Sequence, residues 1–110
     1  MIKPTASFKD NLALLPSIET LARIDLIDQN DNVVASIENQ PGKQGSLAVY
    51  QYLAGQFGTL DAEAAAYGMT LFAEHTADAE NRPGAHPNID RLLDIQRGAA
   101  SLRLKVTKAA

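Results

Sequence analysis

Arg23-Ile24-Asp25-Leu26-Ile27-Asp28-Gln29-Asn30-Asp31-Asn32-Val33-Val34-Ala35-Ser36-Ile37-Glu38 is the stretch that decides the fold. Two runs rich in β-formers, 23–28 and 33–38, flank a polar turn of Gln, Asn and Asp. Asn and Asp tolerate left-handed backbone and bond to their own main chain, so this pattern predicts a β-hairpin. Near the far end, Leu102, Leu104 and Val106 alternate with Arg103, Lys105 and Thr107. A period of two marks a strand buried on one face, and its simplest partner is the hairpin.

The intervening sequence carries helical periods with their own punctuation. Ser7 and Asp10 read as a capping box that opens a short helix with Phe8, Leu12 and Leu15 on one face. Pro16 ends it, and 17–21 has the composition for one further helical turn. After the loop 40–45, Ser46 is placed as an N-cap for a helix with a stripe of Leu47, Tyr50, Leu53 or Ala54, and Phe57. Gly58 stops it. A second helical region starts at Asp61, with Leu60 set to staple against Ala65, and runs to about Ala79 with Gly68 as its breaking point. Asn88 is placed to cap a last helix that turns Ile89, Leu92 and Leu93 inward. Asp90 in its first turn, Arg97 in its last and Gly98 beyond agree with the macrodipole. The order predicts an α+β fold, a single domain over 1–110, in which a small antiparallel sheet (β-hairpin plus C-terminal strand) is covered by helices on one face. A three-stranded sheet leaves two open edges, and pairing them in a dimer is one way to protect them.

Composition excludes several classes. With 110 residues and 45% apolar content the chain can build one modest core. It has no cysteine, so disulfides, thiolate metal sites and cysteine nucleophiles are ruled out together. The formal charge of −3 comes with scattered Lys and Arg, which gives no footprint for nucleic acid or an anionic membrane. The N-terminal residues lack an apolar signal region, and no apolar run approaches the ~18 residues of a membrane span. These features predict a soluble, cytoplasmic protein without a cofactor-binding motif.

Two places have the residue types that chemistry needs. In the loop 41–46, Gly42, Lys43, Gly45 and Ser46 stand at a helix start, where free N–H groups, a dipole end and an ammonium suit a phosphate or carboxylate. This is not a Walker loop, which needs four residues between its glycines and Lys directly before Ser or Thr. A plain strand-to-helix turn would use the same residues. The second place is His75 and Asp78 on one helical face, with His86 and Asp90 beyond the rigid turn Arg82-Pro83-Gly84-Ala85-His86-Pro87. Two imidazoles and carboxylates can hold a divalent metal or move protons, though the spacing fits no standard ligand pattern. The plain alternative is a core histidine at 75 and a turn histidine at 86. Arg91 and Arg97 read as the positive surround of Asp90 and Asp94, and Tyr50, Tyr52 and Tyr67 as core-edge aromatics.

Phe8-Lys9-Asp10-Asn11-Leu12, Leu15-Pro16-Ser17-Ile18, Pro41-Gly42-Lys43 with Gly45-Ser46-Leu47, Phe72-Ala73-Glu74-His75 and His86-Pro87-Asn88-Ile89-Asp90-Arg91-Leu92-Leu93 together resemble small uncharacterised proteobacterial proteins catalogued as a domain of unknown function (family 2322). The resemblance implies a stand-alone bacterial protein and assigns no residue roles. From the residues themselves the foremost reading is a non-enzymatic interaction module, a homodimer or a binder of another protein. An anion or small-ligand module centred on the loop 41–46 is the first alternative. A metal-assisted enzyme using His75, Asp78 and His86 is the second.

Overall fold

A computed structural model describes residues 1–110. The hairpin forms as its pattern predicts, β1 (Leu21–Ile27) against β2 (Val33–Glu38), and the C-terminal strand β4 (Leu102–Lys108) pairs with the other side of β1. All pairings are antiparallel. Ile24 stands opposite Ile37 and Val106, and Leu26 opposite Ala35 and Leu104, so one face of the pleat is apolar. The other face puts Asp25 between Ser36 and Lys105. There the Ser36 hydroxyl donates to Asp25 at 2.6 Å and, with Arg23 and Lys105, holds its carboxyl below the usual range despite burial.

A fourth strand was not legible. Thr59–Leu60, β3, pairs with Arg103 and Leu102 and gives the sheet order β2-β1-β4-β3. Two residues carry no period, so only the tertiary pairing reveals them. The expected turn of helix over 17–21 is also absent. Asn39 donates to the carbonyls of Ile18 and Leu21 at 3.0 and 2.8 Å, which holds this segment as a turn that leads into β1.

The helices are α1 (Phe8–Leu14), α2 (Gln44–Phe57), α3 (Ala62–Phe72), α4 (Glu74–Asn81) and α5 (Pro87–Gln96). Ser7 caps α1 by accepting from the Asp10 N–H, and Asp61 caps α3 by accepting from the Ala64 N–H. The buried core joins Ile24, Leu26 and Ile37 of the sheet to Leu47, Tyr50 and Leu53 of α2, Leu71 of α3 and Leu92 of α5. Fully buried Asn11 is an exception to this apolar rule, and all of its capacity is used. Its amide donates to the carbonyls of Thr5 and Leu71, both at 3.0 Å, and its oxygen accepts from Thr5, so it ties α1 and the N-terminal segment to the end of α3.

The helix over 61–79 does break, but not at Gly68. A Cβ on Gly68 would lie 2.9 Å from Leu53 Cδ1 and 3.0 Å from Leu92 Cδ1. This glycine is therefore a packing position, where α3 comes close to α2 and α5. The break falls at Ala73, whose φ of 52° and ψ of −121° are those of the glycine-favouring first corner of a type II′ turn. An alanine held there stores about 1–3 kcal/mol of strain.

Gly68→Val would force three carbons into space filled by two buried leucines, with no gain from burial. It is expected to destabilise the fold by about 3 kcal/mol in urea unfolding. Unchanged stability would show that α3 can slide off Leu53 and Leu92 at no cost.

Candidate functional site

The two stretches singled out in the sequence converge on one cleft of about 680 Å³. Its walls come from the start of α2, the turn before α5, the corner between α3 and α4, and α1, with Ser36 of the edge strand at its border.

At the start of α2, Gly42 has φ of 86°, a left-handed value that explains the glycine. Gly45 has a different reason: a Cβ there would lie 3.0 Å from the Phe8 ring, so its absence lets α1 close one side of the cleft. Ser46 is not the cap that its position suggested. The helix starts two residues earlier, Lys43 is the N-cap residue, and no side chain caps the end. The N–H groups of Gln44, Gly45 and Ser46 consequently have no acceptor in the protein.

The start of α5 repeats this state. Pro87 is its first residue, His86 its N-cap residue without a capping bond, and the Asn88 N–H has no acceptor. Asn88, expected as the cap, is drawn elsewhere. Its carbonyl accepts from the Tyr50 hydroxyl at 2.6 Å and its Oδ1 accepts from Arg91 Nη1 at 3.0 Å. Arg91 also donates to the Tyr50 oxygen at 3.1 Å, and its guanidinium lies 5.7 Å from the Tyr50 ring centroid. Burial pushes the Tyr50 phenol up to about 12, so it stays a neutral donor. Arg91 does not pair with Asp90 or Asp94 as the sequence suggested. It lies on the cleft wall, forms no ion pair, and its Nε and Nη2 have no protein acceptor.

The histidines do approach one another. Their ring centroids are 5.6 Å apart, and both line the cleft. His75 lies in the first turn of α4, one residue beyond Glu74, which follows the strained corner at Ala73, and stands edge-on to Phe8 at 5.0 Å. Glu74 accepts the Phe8 N–H at 2.6 Å and is thus committed to the start of α1. His86 Nε2 lies 2.6 Å from Asp78 Oδ2, and the same carboxylate accepts from Arg82 Nε at 2.8 Å and from Arg82 Nη2. Arg82 and then His86 hold the Asp78 carboxyl well below the usual carboxylate range. Asp90 is not part of this group. Its Oδ2 accepts the Gly84 N–H at 2.9 Å and it borders a separate hollow of about 280 Å³ with Glu80, Asp94 and Arg97. No group of three or more His, Cys, Asp or Glu side chains comes together in a way that could hold a metal ion.

The cleft wall thus has Lys43, His75, His86 and Arg91 but no aspartate or glutamate. Phe8, Leu12, Phe72 and Ile89 add apolar surface to the same lining. Arg91 was the residue the sequence hid most completely. Its acceptor Tyr50 is 41 positions away, and only the tertiary fold brings the two together.

A depressed carboxylate pKa contributes stability above the unfolded value and loses it as pH falls through the folded value. For Asp78 the bonds to Arg82 and His86 are therefore complete above its ordinary 3.8 and give way only in stronger acid. In a carboxyl-carbon NMR titration, Asp78 is expected to titrate well below its ordinary 3.8. Titration of Asp78 at that ordinary value would show that its bonds to Arg82 and His86 are not kept in solution.

No helix of the structure is long and apolar enough to cross a membrane. No curated protein and no solved structure matches the chain. The model of one protein family does match, over residues 8–106, which takes in α1, every wall of the cleft and most of β4. The chain belongs to that family, the uncharacterised proteins conserved in bacteria known as DUF2322.

Proposed function

We propose that the protein binds a small anionic ligand, a phosphate or carboxylate carried on an apolar body, in the cleft between the starts of α2 and α5. The observation that carries this reading is the wall itself: Lys43, His75, His86 and Arg91 beside two uncapped helix N-termini, and no carboxylate among them. In a chain of formal charge −3 the two fixed cations Lys43 and Arg91, with no carboxylate beside them on the wall, run against the average. Free N–H groups at helix starts, a point charge and a guanidinium with unused donors are complementary to an oxyanion. The apolar wall of Phe8, Leu12, Phe72 and Ile89 would take the body of the ligand.

Titration with inorganic phosphate at low salt is expected to shift the amide signals of Gln44, Gly45, Ser46 and Asn88 together. Arg91→Met should weaken binding by about tenfold, the scale of one charge-assisted hydrogen bond. Lys43→Ala should cost less, since exposed ammonium groups are screened. If these amides do not move in phosphate or in a carboxylate such as citrate, the reading fails.

A second reading, the interaction module, is supported by the open edge of the sheet. Val33 and Val34 on the edge strand β2 are 57% and 51% exposed, a poor guard for a free edge. Self-association through β2 would pair this edge and cover both valines. Light scattering after size exclusion is then expected to give a dimer mass that Val34→Lys reduces to the monomer. A monomer at every concentration tested would remove this reading and leave the first intact.

A further inference from the structure

We infer that His86 is a phosphoryl acceptor, its Nδ1 attacking phosphorus and its Nε2 held by Asp78 at the wall of the anion cleft. The inference rests on the anion-binding reading and goes beyond it, from holding a phosphate to exchanging one.

The argument starts with the proton on the ring. The Asp78 carboxylate, clasped by Arg82, is ionised and can only accept, so the nitrogen 2.6 Å from it must carry hydrogen. A neutral His86 is thereby fixed as the Nε2–H tautomer, which places its lone pair on Nδ1. That nitrogen has no hydrogen-bond partner in the protein, and the residue lines the cleft. An imidazole oriented by a carboxylate, with its other nitrogen free beside a cationic wall, is an activated nucleophile in the general sense. His75 lacks this preparation: it touches Phe8 edge-on and has no carboxylate partner.

The step balances without any further component. With a phosphoanhydride as donor, the Nδ1 lone pair forms the N–P bond, the P–O bond to the leaving phosphate breaks, and its electron pair stays on the departing oxygen. The hydrogen remains on Nε2. The ring becomes cationic, and that charge forms opposite Asp78. Arg91, Lys43 and the free N–H groups of α2 line the same cleft and would serve as donors to the phosphoryl oxygens. Asp78 acts as a positioning residue, because it touches only the imidazole and Arg82.

Phosphoramidate is the probe. Its P–N bond breaks as the bond to the imidazole forms, and ammonia leaves with the electron pair. Incubation of the intact protein is expected to add one acid-labile, alkali-stable phosphoryl group, mapped by mass spectrometry to His86. Labelling should be faster than at His75 and faster than at either histidine in the urea-unfolded chain. His86→Asn should lose the label. Asp78→Asn should slow labelling without weakening the affinity for inorganic phosphate, read from the α2 amides. Mapping on the wild-type chain decides the matter even if the variants fold poorly. Equal labelling of both histidines, labelling no faster than in the unfolded chain, or no adduct would overturn the inference. Phosphate-dependent shifts at Gln44–Ser46 without an adduct would leave the anion-binding reading standing alone, whereas absence of those shifts would remove that reading itself.

Discussion

The close approach of α3 to α2 and α5 at Gly68 is the constraint on which the rest of the molecule depends. With no side chain at this point, Leu53 of α2 and Leu92 of α5 both reach the surface of α3. The two outer helices are thereby packed on one common helix, and both of their N-terminal ends border the same cleft. A side chain at 68 would press on the ends of both leucines and force them to give way, since packed interiors have little slack. Just beyond Gly68, at the C-terminal end of α3, Asn11 performs the matching task. It takes up the Leu71 carbonyl at the helix end and holds α1 against it, which brings Phe8 over Gly45 and beside His75.

Acidic residues outnumber basic ones in this chain, yet none reaches the cleft wall. The reason lies in how the nearby carboxylates are committed. Glu74 serves the start of α1, Asp90 the turn at Gly84, and Asp78 the pair Arg82 and His86. Each of these bonds directs negative charge to a backbone N–H or a cation at the border of the cleft. The N–H groups at the starts of α2 and α5 are left without a carboxylate cap, the first-turn Asp90 of α5 being bonded to Gly84 instead. A protein built only for stability would cap them, at a gain of about 1 kcal/mol each.

Much of this was legible in the sequence, and what was not failed for physical reasons. The hairpin and β4 followed from a period of two that the register of Ile24 with Ile37 and Val106 confirms. The two-residue strand β3 has no period to read. Glycine is a poor helix former, which marks Gly68 as a breaking point in the sequence, but tertiary packing outweighs propensity there, and the break falls on Ala73, which is held at positive φ. Ser46 and Asn88 are natural caps by residue type, but the helices begin earlier and their N-cap residues are Lys43 and His86. The site residues Gly42, Lys43, Gly45, Ser46, His75 and His86 were each singled out, but as two separate places. That they share one cleft depends on contacts between distant elements, such as Gly45 with Phe8, for which a single sequence has no signal.

Arg91 shows what kind of surface this is. A guanidinium on a half-buried wall ordinarily has a carboxylate partner, because the loss of hydration must be offset. Here the offset comes from neutral groups: the Tyr50 oxygen, Asn88 Oδ1 and the Tyr50 ring face. These fix the head group through Nη1 and leave its charge uncompensated, with the remaining donors unused. Tyr50 can do this because burial holds its phenol neutral, and because its own hydrogen is spent on the Asn88 carbonyl it can only accept from Arg91. Replacing Asn88 by aspartate would supply the missing partner and strengthen the free protein, but it would also cancel the positive wall. The neutral amide at 88 therefore holds Arg91 in place without compensating its charge, which is the state that the proposed anion binding calls for.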